Sequence, residues 1–397
     1  MHSNTANLLT KLTTSWPWLS RYPLWRAREL WERLRSASGP AHLIVVVANH
    51  FEPAWNDGGP EFDVEVQRRR TAAWCRQARQ TGLAIPDHDG TPFRHTCFYP
   101  GEQYDHTIVS LLAELESEGF GAVEIHLHHG AEQPDTPDGL RQALSEFRDR
   151  LAAEHGCLAL EPGDPRPRYA FVHGNLALAN SMGGRDCGVD NEMEILAQTG
   201  CYADLTLPAF PEQAQGPVIN MLYECGRPLA ERMPYRTGTR LRVGRAPQLP
   251  IMMTGPLVFD WTRRKRGLPL PRIDDGVLTA GYPLNPARLD RWRQARITVR
   301  NGPPWFFIKL YCHGFFKHDQ EATLGEPVRR FWSEAIEEAE RTNHLRIHFA
   351  TAREAFNIAR AAIDGRTGDP HHFRNYLLQP LRTFRPASLP EQQLTMT

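Results

Sequence analysis

Continuous apolar runs recur along this chain, and several of them end at a histidine or a carboxylate. The first run, residues 43–48, stops at Asn49, His50 and Glu52. Runs of this length are typical of parallel strands that are buried on both faces. Because α/β folds carry their chemistry at the carboxyl ends of such strands, these polar ends predict a functional site. Later runs share the feature and end just before His126, His173 and His313.

Helical patterns lie between the apolar runs, and this alternation predicts βα units and a parallel sheet. The strand candidates are residues 42–48, 95–99, 122–128, 169–173, 202–207, 249–253, 305–312 and 346–350. Apolar residues at helical spacing occur in residues 63–80, 105–118, 138–154, 326–343 and 351–363. Asn191 with Glu194, and Thr351 with Glu354, have the spacing of capping boxes at helix starts. The number of strand candidates favours a distorted (β/α) barrel of seven or eight parallel strands over an open sheet.

The same patterns divide the chain into segments. Residues 1–38 are expected to form an N-terminal amphipathic helical extension, residues 39–365 the barrel, and residues 366–397 a Pro-containing C-terminal tail. Within the barrel, residues 209–300 are rich in Pro, Gly and Arg and are expected to form long loops at one end. Aromatic residues, leucines and arginines interleave in residues 15–36. We expect a helix that packs on the domain, with contact to a membrane interface through residues 15–35 as the alternative.

Composition narrows the class of protein. Lys plus Arg equals Asp plus Glu at 46 each, so bulk charge gives no support for nucleic-acid binding. The seven cysteines are scattered without CxxC spacing, which argues against a disulfide framework or a thiolate zinc site. Reduced cysteines in the core of a cytoplasmic protein are the simpler interpretation. We therefore expect a cytoplasmic location, with association with a membrane as the alternative. No apolar stretch approaches the roughly 20 residues that a membrane-spanning helix needs.

The spacing of the histidines favours a metal site. Because successive strand residues point to opposite faces, His50 and Glu52 share a face, and so do His126 and His128. Two imidazoles and a carboxylate, with an open position for water, form the ligand set of a hydrolytic zinc site. We therefore predict a divalent metal, expected to be zinc, with His126 and His128 as ligands and with His50 or Glu52 as the third ligand.

The order of these segments resembles the polysaccharide deacetylases, carbohydrate esterase family four. Residues 48–55 are similar to that family's first motif, residues 123–129 to the segment with its two metal histidines, and residues 310–314 to its final motif. The resemblance extends over roughly residues 42–362. The chain departs from the family in the first motif, where Asn49 and His50 replace an adjacent pair of aspartates. The histidine spacing of four residues and the arginine beside the groove motif are also absent.

The resemblance implies a metal-dependent hydrolase that removes acetyl groups from a carbohydrate. It implies Glu52 as the base, unless Glu52 is a metal ligand, and His313 as the acid. The residues expected to line the substrate groove are Asn49, His173, Asn175 and Asp204. One alternative is a glycoside hydrolase on the same barrel, with Glu52 paired with Asp204 or Glu224. The other is a catalytically degenerate barrel that binds sugar or a partner protein. The sequence does not indicate an oligomeric state.

Overall fold

A computed structural model describes residues 15–34, 40–265 and 267–382. Its main sheet contains strands β1 to β10, and helices α1 to α9 surround it. The strands are β1 Ala41–His50, β2 His95–Pro100, β3 Gly121–Leu127, β4 Asp164–His173, β5 Cys201–Asp204, β6 Leu222–Cys225, β7 Gly238–Arg240, β8 Ile251–Met253, β9 Trp305–Cys312 and β10 Leu345–Phe349. The helices are α1 Tyr22–Leu34, α2 Val64–Ala84, α3 His106–Ser117, α4 Pro137–His155, α5 Glu192–Thr199, α6 Pro286–Ala295, α7 Lys317–Leu324, α8 Glu326–Thr342 and α9 Ala352–Ile363. Shorter strands are Trp55–Asn56, Gly59–Pro60, Ala159–Glu161, Val258–Asp260, Arg264–Lys265, Leu268–Pro269, Arg272–Asp274 and Gln379–Pro380.

The sheet is curled and mostly parallel. Its strands follow the order β7-β6-β8-β5-β4-β3-β2-β1-β9, and β10 pairs with the first half of β1. Strands β6 and β7 run antiparallel to their neighbours. They belong to the predicted loop region, where the chain turns back through loops, and antiparallel pairing needs no crossover helix. The predicted α/β class is confirmed, whereas closure into a barrel of seven or eight parallel strands is not confirmed among the described residues.

Each side of the sheet is covered by helices, which is why the apolar runs are continuous. On the inner face, Ile44 and Val46 of β1 belong to one apolar cluster with Phe356 of α9. The outer face of β1 packs against Trp332 of α8. The outer face of β3 and β4 packs against α3, α4 and α5. Every residue of β1 after Ala41 is buried, as expected for a parallel strand covered on both sides.

The predicted helix starts have different outcomes. The box at Thr351 and Glu354 forms, with the side chain of each residue accepting a hydrogen bond from the other's backbone N–H. The predicted capping box at Asn191 does not form. The Asn191 side chain caps no backbone group and instead donates to Glu194 Oε2 at 3.1 Å. Its neighbour Glu192 turns inward and is fully buried.

Helix α1 and residues 15–21 before it pack on the domain. Trp18 and Trp25 are buried, and the Trp18 ring lies 5.8 Å from that of Phe210. Trp16 and Trp31 remain more than half exposed. None of the described helices is long and apolar enough to cross a bilayer.

The tail is ordered as far as the structure describes it. Gln379–Pro380 pairs with residues 159–160, and Arg374 is buried against Asp87 and Glu354. The rest of the predicted tail, residues 383–397, lies outside the described residues. All seven cysteines are buried and free.

Candidate metal centre

The parallel register brings distant histidines to one end of the inner face. His126 of β3 is aligned with Val172 of β4, and Asn49 of β1 is aligned with Cys312 of β9. Residues in register point to the same face, and successive residues alternate. His50 and His126 therefore follow the inner-face positions of β1 and β3. The ring of His50 lies 5.0 Å from that of His126 and 4.8 Å from that of His313.

Glu52 lies at the centre of these imidazoles. Its Oε1 is 3.4 Å from His126 Nε2 and 3.1 Å from His128 Nε2, and its Oε2 is 3.8 Å from His313 Nε2. The ligand atoms of His50, Glu52 and His126 all lie within 4.8 Å of one another. We call His50, Glu52, His126, His128 and His313 the inner cluster. His50, Glu52 and His126 are buried, whereas His128 and His313 are half-buried at its rim.

Hydrogen bonds orient two of the imidazoles toward Glu52. His126 Nδ1 donates to the carbonyl oxygen of Val172 at 2.7 Å, which turns Nε2 toward Glu52. His128 Nδ1 lies 2.6 Å from Glu102 Oε1. A carbonyl or carboxylate behind the imidazole is the usual support of a metal-binding histidine. Both Nε2 atoms are thus directed at the same place, as ligation requires.

The electrostatics of the inner cluster fit a cation. Burial opposes ionisation of Glu52, but its hydrogen bonds with His126 and His128 outweigh burial and hold the pKa of this carboxyl well below its usual range. Burial, with His313 and His126 nearby, holds the pKa of His50 well below its usual range, so the imidazole is neutral. A charged carboxylate and neutral imidazoles are the forms that ligate metals.

His128 differs from the other imidazoles in charge. Burial lowers its pKa, but hydrogen bonds with Glu102 and Glu52 outweigh burial and raise the pKa to about 9. His128 would therefore release a proton on binding a metal. His50, Glu52 and His126 are buried with their ligand atoms within 4.8 Å of one another, and they are the residues that would hold an ion most directly.

His313 is placed by a turn at the end of β9. Asn49 Oδ1 accepts a hydrogen bond from the Gly314 N–H at 2.8 Å, and Asn49 itself is fully buried on the outer face. The His313 ring stacks on Phe316 at 5.5 Å. Burial lowers the pKa of His313, so it is a neutral imidazole at the rim.

The other predicted groove residues lie in separate environments. His173 is buried on the outer face of β4, next to His129 rather than the inner cluster. Asn175 is exposed and donates to Asp186 Oδ1 at 3.3 Å. Asp204 is buried, accepts from Thr206, and has its pKa raised to about 7 by burial.

Sequence reasoning did not identify two further polar residues near these groups. Glu102 lies within hydrogen-bonding distance of His128 Nδ1. Its position two residues after the end of β2 is the sequence signal that indicates it. Lys309 is a buried lysine in β9 whose pKa burial lowers to about 7, with Asp204 and Asp275 opposing that shift. A lone lysine inside an apolar strand is the sequence signal that indicates Lys309.

Glu224, which the glycoside hydrolase alternative pairs with Glu52, forms an ion pair with Arg245 at 2.5 Å.

No known protein family, curated protein or solved structure matches this chain. The resemblance to polysaccharide deacetylases therefore stays a prediction.

Proposed function

We propose that this chain is a metal-dependent hydrolase that removes acetyl groups from a carbohydrate. The observation that supports it is the convergence of His50, Glu52 and His126, whose ligand atoms lie within 4.8 Å of one another at the strand ends. Two imidazoles and one carboxylate are the protein ligands of many hydrolytic zinc sites. The carbohydrate as substrate rests on the resemblance to the deacetylases.

The residues divide into holding and proton-transferring groups. His50, Glu52 and His126 would hold the divalent ion, and His128 would support it from the rim. When bound, such an ion lowers the pKa of water and polarises the acyl carbonyl. His313 is neutral, half-buried and 3.8 Å from Glu52, so it can accept a proton and return it to the leaving group.

The sequence left Glu52 open as either base or metal ligand, and its two carboxylate oxygens face different residues. Its Oε1 faces His126 and His128, which suits ligation, whereas its Oε2 faces His313. We assign Glu52 to the ion and the proton transfer to His313. Asn49 has no part in the proton transfer, because an amide cannot accept the proton. Its side-chain oxygen already accepts a hydrogen bond from the Gly314 N–H.

The test is acetate release from N-acetylated and O-acetylated oligosaccharides by protein reconstituted with zinc. We expect release by the wild type, its loss in His126→Ala, and its retention in His344→Ala, which removes an exposed histidine. Release that survives in His126→Ala would contradict the proposal. So would a wild type that binds zinc yet releases no acetate from either substrate class.

A further inference from the structure

We propose that His129, His173, Cys187 and Glu192 form a second, closed metal site that takes Zn²⁺ and has a structural role. We call these residues the outer cluster. All of them are buried, and their ligand atoms lie within 4.8 Å of one another. The outer cluster lies apart from the acetyl-removing site proposed above and does not depend on it.

Strand alternation separates the two clusters. His173 is aligned with Leu127, which belongs to the apolar cluster of the outer face, whereas Val172 and His126 point inward. His129 follows the end of β3, and Glu192 opens α5. The outer cluster thus joins two strand ends, the loop that carries Cys187, and a helix start on one side of the sheet.

Three distances from Glu192 to the other outer-cluster residues match the ligand separations of a tetrahedral zinc site. Glu192 Oε1 lies 3.3 Å from His129 Nε2 and 3.4 Å from His173 Nε2, and Glu192 Oε2 lies 3.6 Å from Cys187 Sγ. Zinc ligands at about 2.0–2.3 Å in tetrahedral geometry are separated from each other by about 3.3–3.7 Å. Simple hydrogen bonds between nitrogen and oxygen are shorter, at about 2.9 Å.

The hydrogen bonding of His173 also suits a metal. His173 Nδ1 is bonded to the Gly174 carbonyl oxygen, and its buried Nε2 has no hydrogen-bond partner. His129 Nδ1 lies 3.0 Å from Asp135 Oδ2, which directs Nε2 toward Glu192. A buried, unpartnered ring nitrogen is costly unless something binds it. An ion between these groups would bind the Nε2 atom of His173.

The backbone already holds the two loops together. The Asp135 N–H donates to the Cys187 carbonyl oxygen at 2.8 Å, and the Asp186 N–H donates to the Gly130 carbonyl oxygen at 3.1 Å. Gly130 has φ +70°, and a Cβ there would overlap the Cys187 backbone. This close approach presents the Cys187 sulfur to the histidines before any ion binds.

The composition of the outer cluster indicates a structural site. Four protein ligands complete a tetrahedral shell and leave no open position for water, as in structural zinc sites. The inner cluster, by contrast, has half-buried residues at its rim. The absence of CxxC spacing does not exclude this site, because its ligands come from four separate positions along the chain.

The test uses cobalt as the probe, since a thiolate bound to Co²⁺ gives a charge-transfer absorption band in the near ultraviolet. We expect this band in the wild-type chain loaded with Co²⁺. We expect its loss, with loss of one metal equivalent by elemental analysis, in Cys187→Ser. Cys75→Ser, the same change at another buried cysteine, should keep the band.

The inner cluster contains no sulfur, so His126→Ala should also keep the band whatever happens to hydrolysis. The proposal would be overturned if the wild-type chain bound cobalt without this band, or bound no cobalt. His129 would then be a cation that is paired with Asp135 and Glu192. Persistence of the band in Cys187→Ser would overturn it as well. The wild-type spectrum decides even if the Cys187 variant does not fold.

Discussion

His128 and His129 are consecutive in the chain, yet their imidazoles belong to different clusters. His128 Nε2 lies 3.1 Å from Glu52, and His129 Nε2 lies 3.3 Å from Glu192. The two side chains point to opposite faces of the sheet, as successive residues of a strand do. The inner and outer clusters therefore share a short piece of backbone, and a displacement of one strand end reaches both.

Gly174 is the position at which support of the ion by His128 can be tested. A Cβ at Gly174 would overlap the His128 ring, so Gly174→Ala must displace that ring from Glu52. We expect zinc affinity at the inner cluster to fall roughly tenfold, the size seen when support of a ligand is lost. Zinc titration with a competing chelator measures it. Gly281→Ala, where a Cβ meets nothing within 4 Å and the backbone is not left-handed, is the comparison for a glycine change with free space. Unchanged affinity in Gly174→Ala would show that His128 does not support the ion.

His126 and His313 should separate metal binding from turnover. His126→Ala removes a buried ligand, so we expect loss of the zinc equivalent at the inner cluster and of acetate release. His313→Ala should keep that zinc and lower kcat about 100-fold or more, the usual contribution of acid–base catalysis. Elemental analysis and initial rates on the same preparations measure both. Loss of zinc in His313→Ala would place that residue among the ligands.

Asn49 should act through the turn that carries His313. Asn49→Ala leaves the buried Gly314 N–H without its acceptor, so we expect the free energy of unfolding to fall by about 1–3 kcal/mol. Urea unfolding measures this change, and the exposed Gln142→Ala is the control. Acetate release should fall in the same variant, since His313 loses its fixed position. A stability equal to that of Gln142→Ala would contradict the predicted role of the hydrogen bond.

Glu354 should make the fold sensitive to acid. Burial opposes its ionisation, but Arg94, Arg374 and Arg353 outweigh burial and lower its pKa to about 2. A carboxyl whose pKa is lowered on folding stabilises the folded state above its unfolded pKa, near 4.5. That stability is lost as the pH falls from 4.5 through about 2.

Glu354→Gln should remove this dependence. We expect a loss of about 3 kcal/mol in unfolding free energy at pH 7, because Arg94 and Arg374 remain buried without their carboxylate. Denaturant unfolding at neutral and acidic pH measures the difference, and it should shrink toward the low pH end. Glu338→Gln, at an exposed ion pair, is the control and should change little. A constant difference across the pH range would show that Glu354 is not the titrating group.

The elements of this fold could be predicted from the sequence because their causes are local. A run such as residues 43–48 is apolar at every position and therefore needs cover on both faces, which a parallel strand provides. The eight strand predictions all fall on observed strands. Strand parity also placed His50 and Glu52 together, and His126 with His128. These relationships need only the period of a strand and hold whatever the strand's neighbours are.

Tertiary packing alone decided which strand ends meet and which strands form the edge of the sheet. The packing of α9 on the inner face and the antiparallel pairing of β6 and β7 join segments far apart in the chain, and no local pattern encodes them. The partners of His173 were equally hidden, since Cys187 and Glu192 reach it from an irregular loop and a helix start. The two-residue alternation of a strand determines which face of the sheet a side chain lies on. Which other side chains it meets on that face depends on contacts between segments that are distant in the sequence.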